Sequence, residues 1–161
     1  GFIGSTIEIE AAVFQARKKG AGTIKFNDTA GSMAKDSVFN AASVIRKITE
    51  KDIRDYDIHV NVIGGGKIDG PSGAAITVCI ISALTNKPIR QDIAITGEIS
   101  LRGTVKPVGG IFEKIYGARR KGIKLVAVPK DNEKEVPLGL SDIEVKSITR
   151  IEELMEIVFE K

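Results

Sequence analysis

The sequence predicts an α/β domain in which helices pack against a mixed β-sheet. Three observations support this class: strand-like and helix-like patterns intermix, the composition suits one core, and no repeat or low-complexity linker divides the chain. The 161 residues are 42% hydrophobic and 28% charged, which is typical of a globular protein. Aromatic residues make up only 5%, so we expect an aliphatic core. We therefore expect one compact domain over residues 1–161.

The first half of the chain is predicted to hold a hairpin, a long helix and a strand. Apolar and polar residues alternate in part over 5–14 and again over 23–26, with a Lys- and Gly-containing turn between them, which predicts the hairpin. Apolar residues recur at helical spacing from Met33, so we expect an amphipathic helix that ends near Glu50. The alternation over 57–63 then predicts a half-buried strand.

The second half is predicted to begin with a central helix, because residues 74–84 are apolar on every side. The later patterns also indicate alternating strands and helices. In order, they predict a short strand at 93–95, a tight hairpin over 99–106, a helix over 111–121 stopped by Gly122, a buried strand at 124–128 ended by Pro129, a strand at 143–146 and a terminal helix over 151–159.

Charge and cysteine content argue against several classes of function. The net charge is only +3, and the basic clusters at 17–19 and 119–121 lack interleaved aromatics, so we expect no nucleic-acid partner. No apolar run reaches the roughly 20 residues that cross a bilayer, so we expect no membrane partner. A single cysteine, Cys79, fits a cytoplasmic location, and within an apolar helix we expect it to be inert. The first residues lack a secretory signal and suggest a domain taken from a longer chain.

Ser72 is the first candidate for chemistry. It stands between Pro71 and Gly73, directly before the apolar helix. Glycine permits close approach of a substrate, and the N-terminal N–H groups of the helix could stabilise an oxyanion. Serine before a helix is also a common N-cap, so this position alone fits either a nucleophile or a cap.

Lys114 is the second candidate. It follows a Gly-Gly pair at 109–110 and is expected on the same apolar stripe as Ile111, Ile115 and Ala118. A lysine amine acts as a base only when it is uncharged, which requires burial in an apolar environment. A lysine on such a stripe can equally extend its amine to solvent, so both interpretations remain open.

Other candidates are weaker. The run Gly64–Lys67 lacks the glycine spacing and the following Ser or Thr of a phosphate-binding loop. His59, the single histidine, is expected to be structural or exposed at an edge, and no cluster of metal-ligand residues is visible. We therefore expect neither a metal nor a cofactor in this domain.

Several longer motifs together resemble the proteolytic domain of Lon proteases, and the bacterial form more than the archaeal one. They occur in the family's order over most of residues 56–132. The motifs are Asp69-Gly70-Pro71-Ser72, the run from Thr96 to Gly103, the run from Val105 to Gly110, Lys114, Gly122-Ile123-Lys124 and the run from Val128 to Asn132.

The resemblance implies a fold, an activity and partners. The fold would be the Lon proteolytic fold, which is ribosomal protein S5 domain 2-like. Ser72 would be the nucleophile and Lys114 the general base of a Ser–Lys dyad in an ATP-dependent endopeptidase. Thr96 would orient the lysine amine, while Asp69, Gly70, Pro71 and Gly73 would shape the loop around the serine. Unfolded or regulatory proteins would be the substrates, a hexameric ring the assembly, and ATP with Mg would bind only to an ATPase module elsewhere in a longer chain.

This sequence has one residue fewer than the family pattern directly after the serine. The family usually has Ala between the serine and the next Gly, whereas Gly73 directly follows Ser72 here. The alternative function is a catalytically silent Lon-like oligomerisation platform, which the presence of both dyad residues argues against. A third is a small-molecule or nucleic-acid binder, and the low charge and few aromatics argue against nucleic acid.

Overall fold

The computed structural model describes residues 8–27, 31–63 and 73–159, without the side chains of residues 31–35 and 63. The described residues form strands and helices in mixed order, which confirms the α/β class. The elements are β1 (Glu8–Gln15), β2 (Ile24–Phe26), α1 (Gly31–Thr49), β3 (Tyr56–Ile63), α2 (Gly73–Thr85), β4 (Ile93–Ile95), β5 (Glu98–Ile99), β6 (Val105–Lys106), α3 (Ile111–Arg120), β7 (Leu125–Pro129), β8 (Glu144–Ile148) and α4 (Ile151–Ile157), with 3₁₀ turns at Ile53–Asp55 and Lys130–Glu135.

The first sheet has the order β1-β3-β2. β1 is antiparallel to β3, with Glu8 opposite Ile63, and β2 is parallel to β3, with Ile24 opposite Ile58. The predicted hairpin of the first two strands is therefore wrong, because β3 lies between them. The predicted turn around Gly20 is present, and the Gly20 N–H donates to the Asp55 carboxylate at 2.9 Å. The turn joins β1 to β2, but each of these strands pairs with β3 rather than with the other.

The second sheet is parallel, with the order β4-β7-β8. The chain leaves β4, forms the two-stranded ribbon β5-β6, passes through α3 and returns as β7. A helix between two parallel strands runs opposite to them, so the N-terminus of α3 lies at the edge where the strands end. The strands of the described residues thus form two three-stranded sheets and a two-stranded ribbon.

The two sheets share a core built around α2. This helix buries Ile76, Val78, Ile80 and Ile81 among others, whereas Ala75, Cys79 and Ser82 on its other side are half-buried. β7 has both faces covered: Ala127 packs into the core with α2, whereas Val126 and Val128 pack against α3. Successive residues of a strand point to opposite faces. β7 therefore packs against α2, the helix that follows Ser72, on one face and against α3, the helix that carries Lys114, on the other.

Candidate active site

The structure describes three of the predicted site residues, Gly73, Thr96 and Lys114. The other four, Asp69, Gly70, Pro71 and Ser72, lie outside the described residues. The described residues thus include the base of the predicted dyad and the helix that begins directly after the serine.

The first turn of α2 is held by the segment that follows β4. The Gly73 N–H donates to the Glu98 carboxylate at 3.0 Å, and the Ala74 N–H donates to the Gly97 carbonyl at 3.1 Å. The second oxygen of the Glu98 carboxylate accepts a hydrogen bond from the Ser37 hydroxyl of α1 at 3.0 Å. A carboxylate is favoured at a helix N-terminus, where the N–H groups have no partner within the helix. Glu98 therefore caps α2 and ties it to α1.

These contacts change one expectation about this helix. The N–H groups of Gly73 and Ala74 were expected to face an oxyanion, but both are occupied by protein acceptors, so that expectation is wrong for these two donors. The Glu98 carboxylate accepts two hydrogen bonds from neutral donors of the described chain.

Gly73 fits this position because there is no space for a side chain. A Cβ built on Gly73 would lie 2.8 Å from a Glu98 oxygen and 2.8 Å from the Ser37 hydroxyl oxygen. Both distances are shorter than real Cβ contacts, so an alanine here would displace the cap. The chain thus seats a glycine, rather than the alanine usual in the family after the serine, directly against Glu98.

Thr96 is buried at the end of β4, with 5% of its surface exposed. Its hydroxyl donates to the Ala127 carbonyl at 2.9 Å, and its N–H donates to the same oxygen at 3.0 Å. Because a hydroxyl has one proton and two lone pairs, this bond leaves the oxygen able to accept a hydrogen bond. The Thr96 hydroxyl is therefore fixed in orientation with its oxygen able to accept, and its expected role toward the Lys114 amine stays a prediction.

Lys114 lies in the first turn of α3, where its N–H donates to the Gly110 carbonyl at 3.0 Å. Ile111, Ile115 and Ala118 are fully buried on the helix face against β7, and Lys114 is half-buried beside them. In the described parts of the chain its ammonium group makes no hydrogen bond or ion pair. The predicted stripe is thus confirmed, with Lys114 at its border.

The strand ends of the second sheet bring these groups to one side of the molecule. Thr96 directly follows β4, and the first turn of α3 lies at the same edge because α3 runs opposite to the strands. Gly97 follows Thr96 and binds the start of α2. The edge therefore joins the start of α2 to the helix that carries Lys114.

The two other residues considered from the sequence, His59 and Cys79, lie on β3 and α2. His59 is exposed on β3 and its ring meets the edge of Phe14 at a centroid distance of 6.2 Å. Burial raises the pKa of the Cys79 thiol to about 12, which agrees with an inert cysteine. No group of three or more metal-ligand residues occurs among the residues described, and in that same part of the chain no helix is long and apolar enough to cross a membrane.

An apolar groove of about 260 Å³ lies between β2, α1 and the 3₁₀ turn at Ile53–Asp55. Phe26, Phe39 and Ile53 line it, with Asp52 and Arg54 at its polar side. These two residues form an ion pair at 3.0 Å, and none of the lining residues is a nucleophile. The groove is therefore separate from the candidate active site.

Sequence reasoning gave no role to Ser37 or Asn132. Ser37 carries no local signal, because only the fold brings α1 next to Glu98. Asn132 belongs to a motif that was recognised as a whole, and the structure shows it buried and bonded to the loop before α3. A buried polar side chain of this kind is normally paired, and its partner is a property of the fold.

Comparison with known proteins identifies the family of this chain. Residues 2–161 match the family model described as "Lon protease (S16) C-terminal proteolytic domain". The chain is 39% identical over 159 residues to the archaeal Lon protease of Pyrococcus abyssi, covering 96% of this chain and 16% of that protein. It is also 39% identical over 166 residues to Lon protease 2 of Bacillus subtilis, covering 95% of this chain and 30% of that protein.

Two features of these matches matter. Archaeal and bacterial relatives share the same identity with the chain, and both match it nearly from end to end. The chain also spans less than a third of the length of these relatives. The family model covers almost every residue, including the described half of the candidate site. The chain therefore belongs to the Lon protease C-terminal proteolytic domain family.

Proposed function

We propose that this chain is a serine peptidase domain that uses Ser72 and Lys114 as a dyad. The Ser72 hydroxyl attacks the peptide carbonyl while the neutral Lys114 amine takes its proton. The protonated amine then gives a proton to the leaving amine, and water hydrolyses the acyl-enzyme. Thr96 accepts a hydrogen bond from the Lys114 amine, which directs the lone pair of the amine toward the serine.

One observation carries the proposal: Lys114 occupies the first turn of α3 at the edge where Gly97 and Glu98 hold the start of α2. Its ammonium group has no protein partner among the described residues, although the side chain is half-buried beside an apolar stripe. A half-buried lysine without a carboxylate partner is suited to proton transfer rather than to a structural ion pair.

The oxyanion would need donors other than the first N–H groups of α2. Those of Gly73 and Ala74 donate to Glu98 and Gly97, so they hold the helix in place rather than face a substrate. Their contribution to catalysis is then positional: a fixed helix start limits where the preceding residue can move. A displaced catalytic group costs rate even when it is chemically intact.

The test is hydrolysis of a fluorogenic peptide and of casein by the full chain. Ser72→Ala removes the nucleophile, and Lys114→Arg keeps a cation of similar length that cannot act as a base. We expect the serine variant to lose essentially all activity and the lysine variant to lose 100-fold or more. Ser141→Ala and Lys121→Ala, at exposed positions, are the matched controls and should retain full activity.

The outcomes separate the candidate functions. Unchanged turnover in Lys114→Arg would refute the dyad. Oligomerisation of the wild-type chain without turnover of either substrate would favour the silent oligomerisation platform instead. Labelling of wild-type protein by a serine-reactive phosphonate, absent in Ser72→Ala, would support the nucleophile independently of the substrate chosen.

The finer parts of the function are proposals that rest on family membership. We propose unfolded or regulatory proteins as substrates, a hexameric ring as the working assembly, and a cytoplasmic location. The chain would itself bind no ATP or Mg and would act with an ATPase module. Size-exclusion chromatography with light scattering and titration with a fluorescent ATP analogue test the assembly and the absence of nucleotide binding.

A further inference from the structure

The Asn132 side chain makes a paired hydrogen bond with the backbone of Val108. The Val108 N–H donates to the Asn132 carbonyl oxygen at 2.9 Å, and the Asn132 amide donates to the Val108 carbonyl at 2.9 Å. The same amide also donates to the Glu135 carboxylate. Asn132 is 4% exposed, so both bonds to Val108 are largely shielded from water. The carboxamide thus holds both polar backbone groups of one residue, much as a neighbouring strand would.

Val108 lies in the loop before α3, where its side chain packs against the apolar cluster between α3 and β7 and its backbone is held by Asn132. Gly109 and Gly110 separate Val108 from the first residue of α3. Gly110 is the N-cap of α3, with φ of 72° and no side-chain cap. A Cβ built on Gly109 would meet nothing within 4 Å. Two consecutive glycines give a backbone large freedom, so the position of the α3 N-terminus depends on what anchors the loop before them.

The same asparagine connects this loop to the sheet. Asn132 follows β7 directly, in the 3₁₀ turn Lys130–Glu135. The backbone of Ala127 in that strand accepts the hydrogen bonds of Thr96. The path from Thr96 through β7 to Asn132 and Val108 is therefore continuous, and it ends six residues before Lys114.

We propose that Asn132 is a positioning residue that sets the place of Lys114 relative to Thr96. The inference rests on the proposed function, since Lys114 and Thr96 act together only in the dyad mechanism. Asn132 touches neither the substrate nor the amine. It acts by fixing the loop whose glycines would otherwise let the first turn of α3 shift along the sheet edge.

The chain contains a matched control for this interaction. Asn27 makes the same paired bond with Val62: the Asn27 amide donates to the Val62 carbonyl at 2.8 Å, and the Val62 N–H donates to the Asn27 oxygen at 3.1 Å. This pair joins β2 to β3 in the first sheet. Asn27→Ala and Asn132→Ala therefore remove the same kind of paired bond to a backbone, one in the first sheet and one in the loop before α3.

The first readout follows Lys114 without any substrate. Lysines of the full chain are reductively methylated with ¹³C-formaldehyde, and Lys114→Arg identifies the Lys114 signal in the NMR spectrum. We expect Asn132→Ala to move this signal to the position shared by exposed lysines, and Asn27→Ala to leave it in place. A Lys114 signal that does not move in Asn132→Ala, or that moves equally in both variants, would overturn the inference.

The second readout is peptide hydrolysis. We expect Asn132→Ala to lower kcat by ten-fold or more with KM within two-fold of wild type, because binding is kept and the base is displaced. Asn132→Asp, combined with Glu135→Gln so that two carboxylates do not face each other, keeps the acceptor for the Val108 N–H and should fall between. Adding Gly109→Ala to this Asp variant stiffens the loop in open space and should recover part of kcat.

These outcomes distinguish the two proposals. If Lys114→Arg retains full turnover, the dyad fails, whatever the NMR signal shows. If the dyad holds but kcat of the Asp variant equals that of wild type at equal folded fraction, the positioning role fails. If Asn132→Ala does not fold, the Asp variant with and without Gly109→Ala still tests the positioning role. If Asn132 only stabilised the core, replacing a glycine in the loop would not restore kcat.

Discussion

Gly97 provides the sharpest structural test, because it links the candidate site to the core at a position that only glycine fits. Its φ is 116°, in the region that side chains disfavour. A Cβ built there would lie 2.5 Å from Val105 Cγ1, 3.0 Å from Pro129 Cγ and 3.3 Å from the Lys106 carbonyl oxygen. Its carbonyl accepts the Ala74 N–H at 3.1 Å. Gly97→Ala would therefore disturb the backbone, the packing and the start of α2 together.

The cost follows from two separate contributions. A non-glycine residue in a disfavoured backbone region costs about 1–3 kcal/mol. Overpacking a filled site costs about another 1–3 kcal/mol, since the methyl group would have to displace Val105 and Pro129. The sum, about 2–6 kcal/mol, is a large part of the 5–15 kcal/mol typical of a domain. For a chain of this length that corresponds to a fall in Tm of roughly 5–20 °C.

The assay is thermal and urea unfolding followed by circular dichroism, with Gly139→Ala as the control. Gly139 has φ of 77°, but a Cβ there would meet nothing within 4 Å. It should lose only the backbone contribution, about 1–2 kcal/mol. A Gly97→Ala protein as stable as Gly139→Ala would refute the close packing around Gly97, and unchanged peptide hydrolysis would refute its link to the site.

Two further predictions concern the cap and the cysteine. Glu98→Ala should lower the free energy of unfolding by about 1–3 kcal/mol, because the Gly73 N–H loses its acceptor. Glu98→Gln keeps one acceptor oxygen and should lower it less. A double-mutant cycle with Ser37→Ala that shows no coupling energy in urea unfolding would contradict the contact at 3.0 Å between Ser37 and Glu98. Burial raises the pKa of the Cys79 thiol to about 12, so less thiolate is present in the native chain. At pH 8 the thiol should therefore react with iodoacetamide about a thousand-fold more slowly in the native chain than in guanidinium. Equal rates in the two states would show that the thiol is not buried.

Local patterns were sufficient for the elements that bury a continuous or periodic apolar surface. α1 and α3 lie where the apolar periodicity predicts them, and α2 lies where the continuous apolar run predicts it. The short strand before Thr96 and the hairpin after it were also predicted. In these segments the hydrophobic pattern and the turn residues agree with the final burial, so no long-range contact was needed to choose between alternatives.

The pairing of the first strands could not be predicted in the same way. The sequence around Gly20 supports a turn, and adjacent strands joined by a turn usually pair. Yet β3, thirty residues later, takes the place between β1 and β2 because its buried residues Ile58 and Val60 complete the core on that side. Which strand pairs with which depends on the whole set of apolar faces, not on the turn alone.

The sequence by itself determined the chemical character of this protein: an aliphatic α/β domain of the Lon proteolytic family, with a serine before a buried helix and a lysine beside an apolar stripe. Only the tertiary structure decided how those helices are held. Glu98 caps α2, Thr96 is fixed on Ala127, and Asn132 holds the loop before Lys114. Each contact joins residues 24 or more positions apart, and a polar group finds such a partner only when folding removes it from water.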